Sequence, residues 1–275
     1  MLRSYLFVPG DNAEKLTKAL ARGADALIVD LEDGVAFSNK TAARTIVSDF
    51  LQDKSADWPS IWIRLNPGDL MEIDLASIPT DLADGFVLAK TQSARDITAL
   101  VNGLGASAKN QNIMALVEDG LGITKLSEIA GHAEVNFLQI GEADLSADLS
   151  ITPDAYSSQF NYVRQQAVVA CAAAGITSPI GPVSTNFRDL ELFRETTQAL
   201  SDMGYFGRAC IHPAQIEIVN SVFTPTAQQL ESAQDTMQRY EAALAKGLGV
   251  CVDADGRLVD EAIIRSARRI LETNR

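Results

Sequence analysis

The sequence is poor in cysteine, histidine and aromatic residues. Its 275 residues include three cysteines and two histidines, and aromatic side chains make up 6% of the chain. Cys171, Cys210 and Cys251 lie far apart and form no CxxC pair, which argues against a disulfide framework or a structural zinc site. The low aromatic content argues against a stacking surface for single-stranded nucleic acid.

Positive charge is also scarce, and long apolar runs are missing. Lys and Arg number 23 against 36 Asp and Glu, and the formal net charge of -13 opposes attraction to nucleic acid or anionic lipid. No stretch approaches the ~18 uninterrupted apolar residues of a membrane span, and the first apolar run ends at Pro9, too early for a signal peptide. We therefore expect a cytoplasmic protein with no membrane or nucleic-acid partner.

Short apolar runs recur along the chain, each followed by a longer segment that is compatible with a helix. Hydrophobic residues make up 47% of the chain, and its length is close to the roughly 250 residues of one eight-stranded α/β barrel. Consecutive apolar residues, as at 26–29, are typical of parallel strands covered by helices on both faces. The eight runs are residues 5–8, 26–30, 61–65, 85–90, 113–118, 136–141, 178–183 and 207–212.

We predict an α/β fold, a (β/α)8 TIM barrel over residues 1–225 followed by a C-terminal helical extension over residues 226–275. In the extension, a helical pattern is interrupted by glycines near residue 248 and then resumes. A doubly wound nucleotide-binding sheet would show the same alternation of strands and helices. Its phosphate-binding fingerprint is missing, because the glycines at 103–105 and 120–122 form only GxG fragments.

Several of the apolar runs end in polar residues. In barrels of this type catalytic groups lie at the carboxyl ends of the strands, so these residues are expected to converge on one mouth. Carboxylates that converge repel one another unless a cation lies among them. The polar ends are Glu32 and Asp33 just after the second run, Arg64 near the end of the third, Lys90 and Glu118 at the ends of the fourth and fifth, and Asp144 shortly after the sixth.

A hard divalent cation fits such a set of acids. Mg²⁺ is held by one or two carboxylates together with water and substrate oxygens, and two histidines are too few for an imidazole-rich site. We predict Glu118 and Asp144 as the magnesium ligands, with Glu32 and Asp33 beside them. Each acid taken alone could instead cap a helix or lie on the surface. Arg64 could bind a substrate carboxylate or form a structural ion pair with one of the acids.

An ordered set of motifs makes the chain recognisable. Taken together the motifs resemble the citrate lyase β-subunit family of HpcH/HpaI aldolase-type barrels, which also contains malyl-CoA and citramalyl-CoA lyases. They are RSYLFVPG from residue 3, DLED at 30–33 with Lys40 downstream, IRLN at 63–66, VE at 117–118 followed by two glycines, GEAD at 141–144 and GYFGRACIHP at 204–213.

The resemblance implies roles for individual residues. It implies that Glu118 and Asp144 ligate magnesium and that Arg64 holds the oxoacid end of the substrate. The DGRLVD segment ending at Asp260 is similar to a C-terminal motif whose last Asp acts as acid/base, often across a subunit contact, and the family resemblance suggests a homotrimer. Asp33 stands where related pyruvate aldolases have a histidine base, which argues against that activity.

Two positions depart from the pattern of the resembled family. Gly181 stands where members commonly have Asp, which leaves the pocket wall and the choice of substrate open. Arg208 stands where members commonly have Lys, which keeps the positive charge.

The function expected from these residues is that of a Mg²⁺-dependent carbon–carbon lyase. It would cleave a 3-hydroxyacyl-CoA of the citramalyl-CoA or malyl-CoA type to acetyl-CoA and a 2-oxoacid such as pyruvate. The alternatives are a citrate lyase β subunit acting on citryl-carrier protein, a malyl-CoA thioesterase and a non-catalytic binding protein. Backbone N–H groups near Gly120 could stabilise a thioester enolate, and Arg3 and Lys15 could meet the phosphates of coenzyme A or be solvated surface charges.

Overall fold

A computed structural model describes residues 2–273 of the chain. The first of its two units, Leu2–Ser221, contains eight parallel strands that form a closed barrel in chain order. This confirms the (β/α)8 barrel predicted from the eight apolar runs. The strands are β1 Ser4–Pro9, β2 Ala26–Asp30, β3 Ser60–Leu65, β4 Gly85–Leu88, β5 Asn112–Val117, β6 Phe137–Ile140, β7 Ile180–Gly181 and β8 Gly207–Cys210.

Helices follow the strands, as the sequence pattern predicts. Several of the helices on the carboxyl side of a strand are short, so the polar residues between strand and helix are held close to the barrel mouth. The helices are α1 Ala13–Ala19, α2 Lys40–Gln52, α3 Asp69–Ser77, α4 Ala94–Leu104, α5 Gly120–Thr124, α6 Leu126–Ala130, α7 Glu142–Asp148, α8 Asn161–Ala174, α9 Leu190–Met203 and α10 Ile216–Val222.

The second unit begins at Val222, a few residues before the predicted start of the extension. It contains α11 Ala227–Leu244 and α12 Glu261–Thr273, with an antiparallel hairpin of β9 Cys251–Val252 and β10 Leu258–Val259 between them. The hairpin was not predicted, because two residues per strand are too few to show an alternating pattern. Within residues 2–273 no helix is both long and apolar enough to cross a membrane.

The barrel interior is filled by side chains that alternate along the strands. Side chains at every second position of a strand share a face, and here that face is packed with buried apolar groups, so the interior is a core and not a pore. The Trp62 ring meets Tyr5 and Phe137 edge to face, with ring centroids 5.9 and 5.4 Å apart. The buried interior residues are Tyr5, Ala26, Ile28, Trp62, Val87, Met114, Leu116 and Ile180.

A buried ion pair joins α2 to α3 outside the barrel. The Arg44 guanidinium donates to Asp74 at 2.7 Å, and the other Asp74 oxygen accepts from the backbone and side-chain nitrogens of Asn66 at 3.0 and 2.8 Å. Asp74 is fully buried and the Arg44 side chain is 8% exposed. The pair therefore links two helices to the end of β3.

Replacing Asp74 by alanine is expected to lower the free energy of unfolding by about 3–5 kcal/mol, because it leaves the Arg44 charge buried without a partner. Urea unfolding followed by circular dichroism measures the loss. The matched control is Asp235→Ala, which removes an ion pair of α11 whose two side chains are each 42% exposed and should leave stability nearly unchanged. Equal stability of the two variants would contradict a structural role for the buried pair.

Candidate active site

The alternation that fills the barrel interior also delivers the polar groups to its mouth. Two positions beyond the last apolar interior residue, β2 places Asp30, β3 places Arg64 and the residue after β5 is Glu118. These side chains line a cavity of 350 Å³. Other residues that line it are Phe7, Asp33, Gln139, Gly141, Asp144 and Val183.

Arg64 is held between two acids of the preceding strand and its loop. Its Nε and Nη2 donate to the two oxygens of Asp30 at 2.7 and 2.5 Å, and Nη1 lies 3.2 Å from Glu32. The register explains the contact, because Asp30 and Arg64 are direct neighbours across β2 and β3. Burial alone would lower the pKa of Arg64, but the hydrogen bond and charge of Asp30 raise it overall.

Both predicted roles of Arg64, the ion pair with an acid and the binding of a substrate carboxylate, are compatible with its surroundings. The ion pair with Asp30 is present, and the guanidinium also faces the cavity and lies over the Phe7 ring, 5.0 Å from its centroid. Asp30 accepts from two of its five N–H groups and Glu32 lies 3.2 Å from Nη1, so N–H groups remain for a ligand. An arginine fixed in this way is preorganised to bind a carboxylate.

Lys90 supplies a positive charge among the acids of the mouth. Its ammonium group lies 2.5 Å from Glu32, 2.9 Å from Asp33 and 3.7 Å from Asp144. The residue has a left-handed backbone, with φ of 51°, which turns the chain directly after β4. The sequence analysis gave Lys90 no role, because the pattern along one strand does not show which acids of other segments lie near it.

Glu118 is the most buried acid of the predicted magnesium pair. The amide N–H of Lys90 donates to its carboxylate at 2.8 Å. Burial raises the pKa of Glu118 to about 7, the Lys90 N–H offsets part of this rise, and the charges of Asp144 and Glu32 add to it. A Cβ on Gly141 would collide with the Glu118 side chain, so glycine at the end of β6 makes room for this carboxylate.

Asp144 and Asp33 are more exposed than Glu118. Asp144 has a side chain 44% exposed and lies in the first turn of α7, which begins at Glu142, so it is not the N-cap of this helix. Asp33 is 61% exposed and is held by Lys90, while Glu32 behind it is nearly buried at 3%. Burial raises the pKa of Glu32, and the Lys90 hydrogen bond works against the rise.

The donor set fits magnesium. Glu118 and Asp144 both line the cavity and act on each other electrostatically, and two carboxylates with room for water and substrate oxygens are what this ion uses. Within residues 2–273 no group of three or more His, Cys, Asp or Glu side chains is arranged to hold a metal. A closed zinc-like site does not match this part of the chain.

Lys40 and Asn66 support the loop that carries Glu32. The Lys40 ammonium donates to the carbonyl oxygens of Leu31 and Glu32 at 2.8 and 2.9 Å and to the Asn66 side chain at 2.7 Å. Asn66 in turn donates to the Leu31 carbonyl. Both residues belong to the ordered motifs, but sequence reasoning gave them no role.

Two amides of the segment near Gly120, where an enolate site was predicted, already donate to carboxylates. The Gly120 N–H donates to Asp148 at 2.8 Å, and the Gly122 N–H donates to the Asp119 side chain at 2.7 Å. Both amides already have a carboxylate acceptor, so they are not available to an anionic substrate oxygen. Asp148 lies 28 residues away along the chain, which is why the sequence did not reveal this contact.

Arg3 and Lys15, the residues predicted to meet coenzyme A, lie at opposite ends of β1. Arg3 precedes the strand, and its guanidinium pairs with Asp25 at 2.8 Å, just before β2. Arg3 therefore lies at the amino end of the barrel. The mouth is at the carboxyl ends of the strands, on the opposite side of the barrel. Lys15 is exposed in the first turn of α1, after the carboxyl end of β1, and its contact with coenzyme A stays a prediction.

Asp260 belongs to the second unit. Its carboxylate accepts from the backbone N–H groups of Ala262 and Ile263 at 2.9 and 3.1 Å at the start of α12. Within this unit the exposed Asp260 therefore caps a helix, and its predicted acid/base role stays a prediction.

The chain is similar to several characterised proteins. A (3S)-malyl-CoA thioesterase of Cereibacter sphaeroides is 32% identical over 273 residues, covering 98% of this chain and 93% of that protein. The citrate lyase subunit beta of Haemophilus influenzae is 30% identical over 280 residues, covering 98% of this chain and 96% of that protein. The Mycobacterium tuberculosis protein CitE, solved with magnesium, acetoacetate and coenzyme A, superposes with a TM-score of 0.80 at 27% identity, covering 99% of this chain and 97% of that chain.

The family model described as HpcH/HpaI aldolase/citrate lyase matches residues 3–213, which is most of the barrel unit. The match confirms the resemblance inferred from the ordered motifs at the strand ends. The chain belongs to the HpcH/HpaI aldolase/citrate lyase family.

Proposed function

We propose that this chain is a Mg²⁺-dependent carbon–carbon lyase that cleaves a citramalyl-CoA or malyl-CoA type of thioester to acetyl-CoA and a 2-oxoacid. The observation that carries the proposal is the arrangement of Glu118 and Asp144 beside Arg64 in one cavity. This arrangement offers two carboxylates for a metal and a preorganised cation for a carboxylate. Related proteins solved with magnesium, acetoacetate and coenzyme A, or with magnesium and oxaloacetate, support the same ligand chemistry here.

The residues divide the chemistry between them. Magnesium held by Glu118 and Asp144 would supply Lewis-acid polarisation of the substrate oxygens. The N–H groups of Arg64 that do not donate to Asp30 bind the substrate carboxylate and orient the bond to be broken. Transfer of the hydroxyl proton to water breaks the carbon–carbon bond, which leaves the 2-oxoacid and a thioester enolate. Asp260 donates a proton to the enolate carbon and acts as base in the reverse condensation.

The test is an assay of purified protein with magnesium and either citramalyl-CoA or malyl-CoA. We expect a 2-oxoacid and acetyl-CoA in equal amounts, detected by a coupled dehydrogenase and by chromatography. Chelation of the metal should stop the reaction, and readdition of Mg²⁺ should restore it. A preparation that binds magnesium but releases no 2-oxoacid from either thioester would overturn the proposal.

A malyl-CoA thioesterase is the second candidate, favoured by similarity to the Cereibacter sphaeroides protein of that name. The same metal site would then orient water toward the thioester. Free CoA and malate without acetyl-CoA would identify this activity. A citrate lyase β subunit is the third, and it would act on citryl-carrier protein but not on CoA esters.

We propose Lys15 as a phosphate contact for CoA and a homotrimer as the assembly that could bring Asp260 to a neighbouring site.

A further inference from the structure

A second cavity lies next to the proposed reaction cavity on the β7 and β8 side of the barrel mouth. Its volume is 500 Å³, and it shares Glu142, Ala143 and Val183 with the first cavity. The loops after α7 and β7 form its walls, and two arginines, Arg164 and Arg208, reach it from the barrel. None of the residues predicted to carry the lyase chemistry lines it.

Arg208 is buried against neutral groups. Its Nε donates to the carbonyl of Pro182 at 3.0 Å, and Nη1 donates to the hydroxyls of Thr196 and Thr197 at 3.0 and 2.7 Å. The guanidinium carbon lies 4.2 Å from the centroid of the Phe193 ring. Both threonine hydroxyls pass their own hydrogen to backbone carbonyls, so they act only as acceptors for the arginine.

The remaining guanidinium nitrogen of Arg208, Nη2, has no acceptor within residues 2–273. It is not among the fully buried unpaired side-chain atoms of this part of the chain. Since Arg208 lines the cavity, this nitrogen is the part of the side chain that can meet a ligand. The residue itself is only 4% exposed. The Arg208 side chain is therefore fixed by its hydrogen bonds, and the N–H groups of Nη2 remain as donors for a ligand.

Within residues 2–273 none of the hydrogen bonds of Arg208 is to a carboxylate. The charge of Glu142 acts on Arg208, but both Glu142 oxygens accept from Arg164, at 2.6 and 2.7 Å. Burial lowers the pKa of Arg208 to about 10, and the group stays charged at neutral pH. A buried cation without an anion is costly, and a bound anion would remove this cost.

The rim of the cavity limits what can bind. Asp154 and Asp189 are exposed there, and local N–H and O–H groups occupy their carboxylates: Asp154 accepts from the backbone of Tyr156 and Ser158 and from the Ser158 hydroxyl, and Asp189 caps α9. Their negative charge opposes a large polyanion. A small anion that reaches past the rim can pair with Arg208.

We infer that this cavity is a binding site for a small carboxylate, held by the free Nη2 edge of Arg208. The two N–H groups of Nη2 can donate to a carboxylate oxygen, and a charged donor strengthens such a hydrogen bond. The site is separate from the one centred on Arg64, and it holds whether or not the lyase proposal is correct.

Calorimetric titration of malonate into magnesium-free protein tests the inference. The Arg64→Met variant serves as the background, because it removes the carboxylate handle of the reaction cavity. We expect one malonate bound per chain at constant ionic strength, with chloride as the balancing anion. Adding Arg208→Met should weaken binding by about tenfold or more, and Arg208→Lys should weaken it less, because a lysine keeps the charge but not the fork.

Two results would overturn the inference: malonate binding unaffected by Arg208→Met, or no malonate binding in the Arg64→Met background. Binding of inorganic phosphate in preference to malonate would overturn the assignment to carboxylates. If Arg208→Met does not fold, crystals of the Arg64→Met variant grown with malonate decide the question. A carboxylate within about 3 Å of Nη2 supports the site, and a cavity filled by water alone refutes it.

Discussion

Replacing Glu118 by glutamine is expected to abolish magnesium binding and lyase activity without unfolding the protein. The amide keeps an oxygen that can accept from the Lys90 N–H, but it removes the charge that a divalent ion requires. Affinity for Mg²⁺ should fall more than ~100-fold, since even residues behind metal ligands change affinity by about 10–100-fold. Activity should fall roughly a thousandfold, which corresponds to several kcal/mol of lost charge stabilisation.

Stability gives an independent measure of the same variant. Burial raises the pKa of Glu118 to about 7, above the value of the unfolded chain, so its ionisation disfavours the folded state as pH rises through this range. Without magnesium, Glu118→Gln should therefore be at least as stable as the native protein at pH 8. Calorimetric Mg²⁺ titration and thermal unfolding measure the two effects, with the exposed Glu72→Gln of α3 as the matched control. Retained magnesium binding, or a large loss of stability, would contradict the assignment of Glu118.

Replacing Arg64 by lysine is expected to lower kcat/KM for the thioester by about 100-fold. A lysine keeps one positive charge but cannot bind Asp30 through two nitrogens and also offer two N–H groups to a substrate. A lost hydrogen bond between charged groups corresponds to about 1.5–3 kcal/mol, or roughly 10- to 150-fold. Inhibition by the 2-oxoacid product should weaken in parallel, because that product carries the same carboxylate.

The control for Arg64 is Arg44→Lys, which changes another buried arginine paired with an aspartate. We expect Arg44→Lys to lower the melting temperature and to leave kcat/KM per folded molecule unchanged. Arg64→Lys should show the larger kinetic loss. If Arg64→Lys lost only stability and kept its affinity for the 2-oxoacid, its role would be the structural ion pair alone.

The barrel could be predicted from the sequence because its strands are buried on both faces and read as uninterrupted apolar runs. Arg64 and Glu118 could be singled out because they are polar residues at the ends of such runs, where barrels of this type carry their catalytic groups. The strand β7 has only two residues in the barrel, but the run at residues 178–183 still predicted it.

What the sequence could not predict depends on contacts between distant segments. The ion pair of Arg64 with Asp30 was one of two open interpretations, and only the register of β2 and β3 decides that it forms. The Gly120 amide donates to a carboxylate from the far end of α7, which no local pattern reveals. Arg3 was predicted near the site because it belongs to the motif that contains β1. It lies at the amino end of this strand, and the barrel mouth is at the carboxyl end.

The lysine that follows β4 also bears on how the metal is carried. Because the Lys90 ammonium already lies among Glu32, Asp33 and Asp144, part of the acidity of the mouth is neutralised by the chain itself. We therefore expect magnesium to be a dissociable cofactor and not a structural cross-link of the kind on which small zinc domains depend. A chelated preparation should keep its fold, and the ion can exchange with the medium between turnovers.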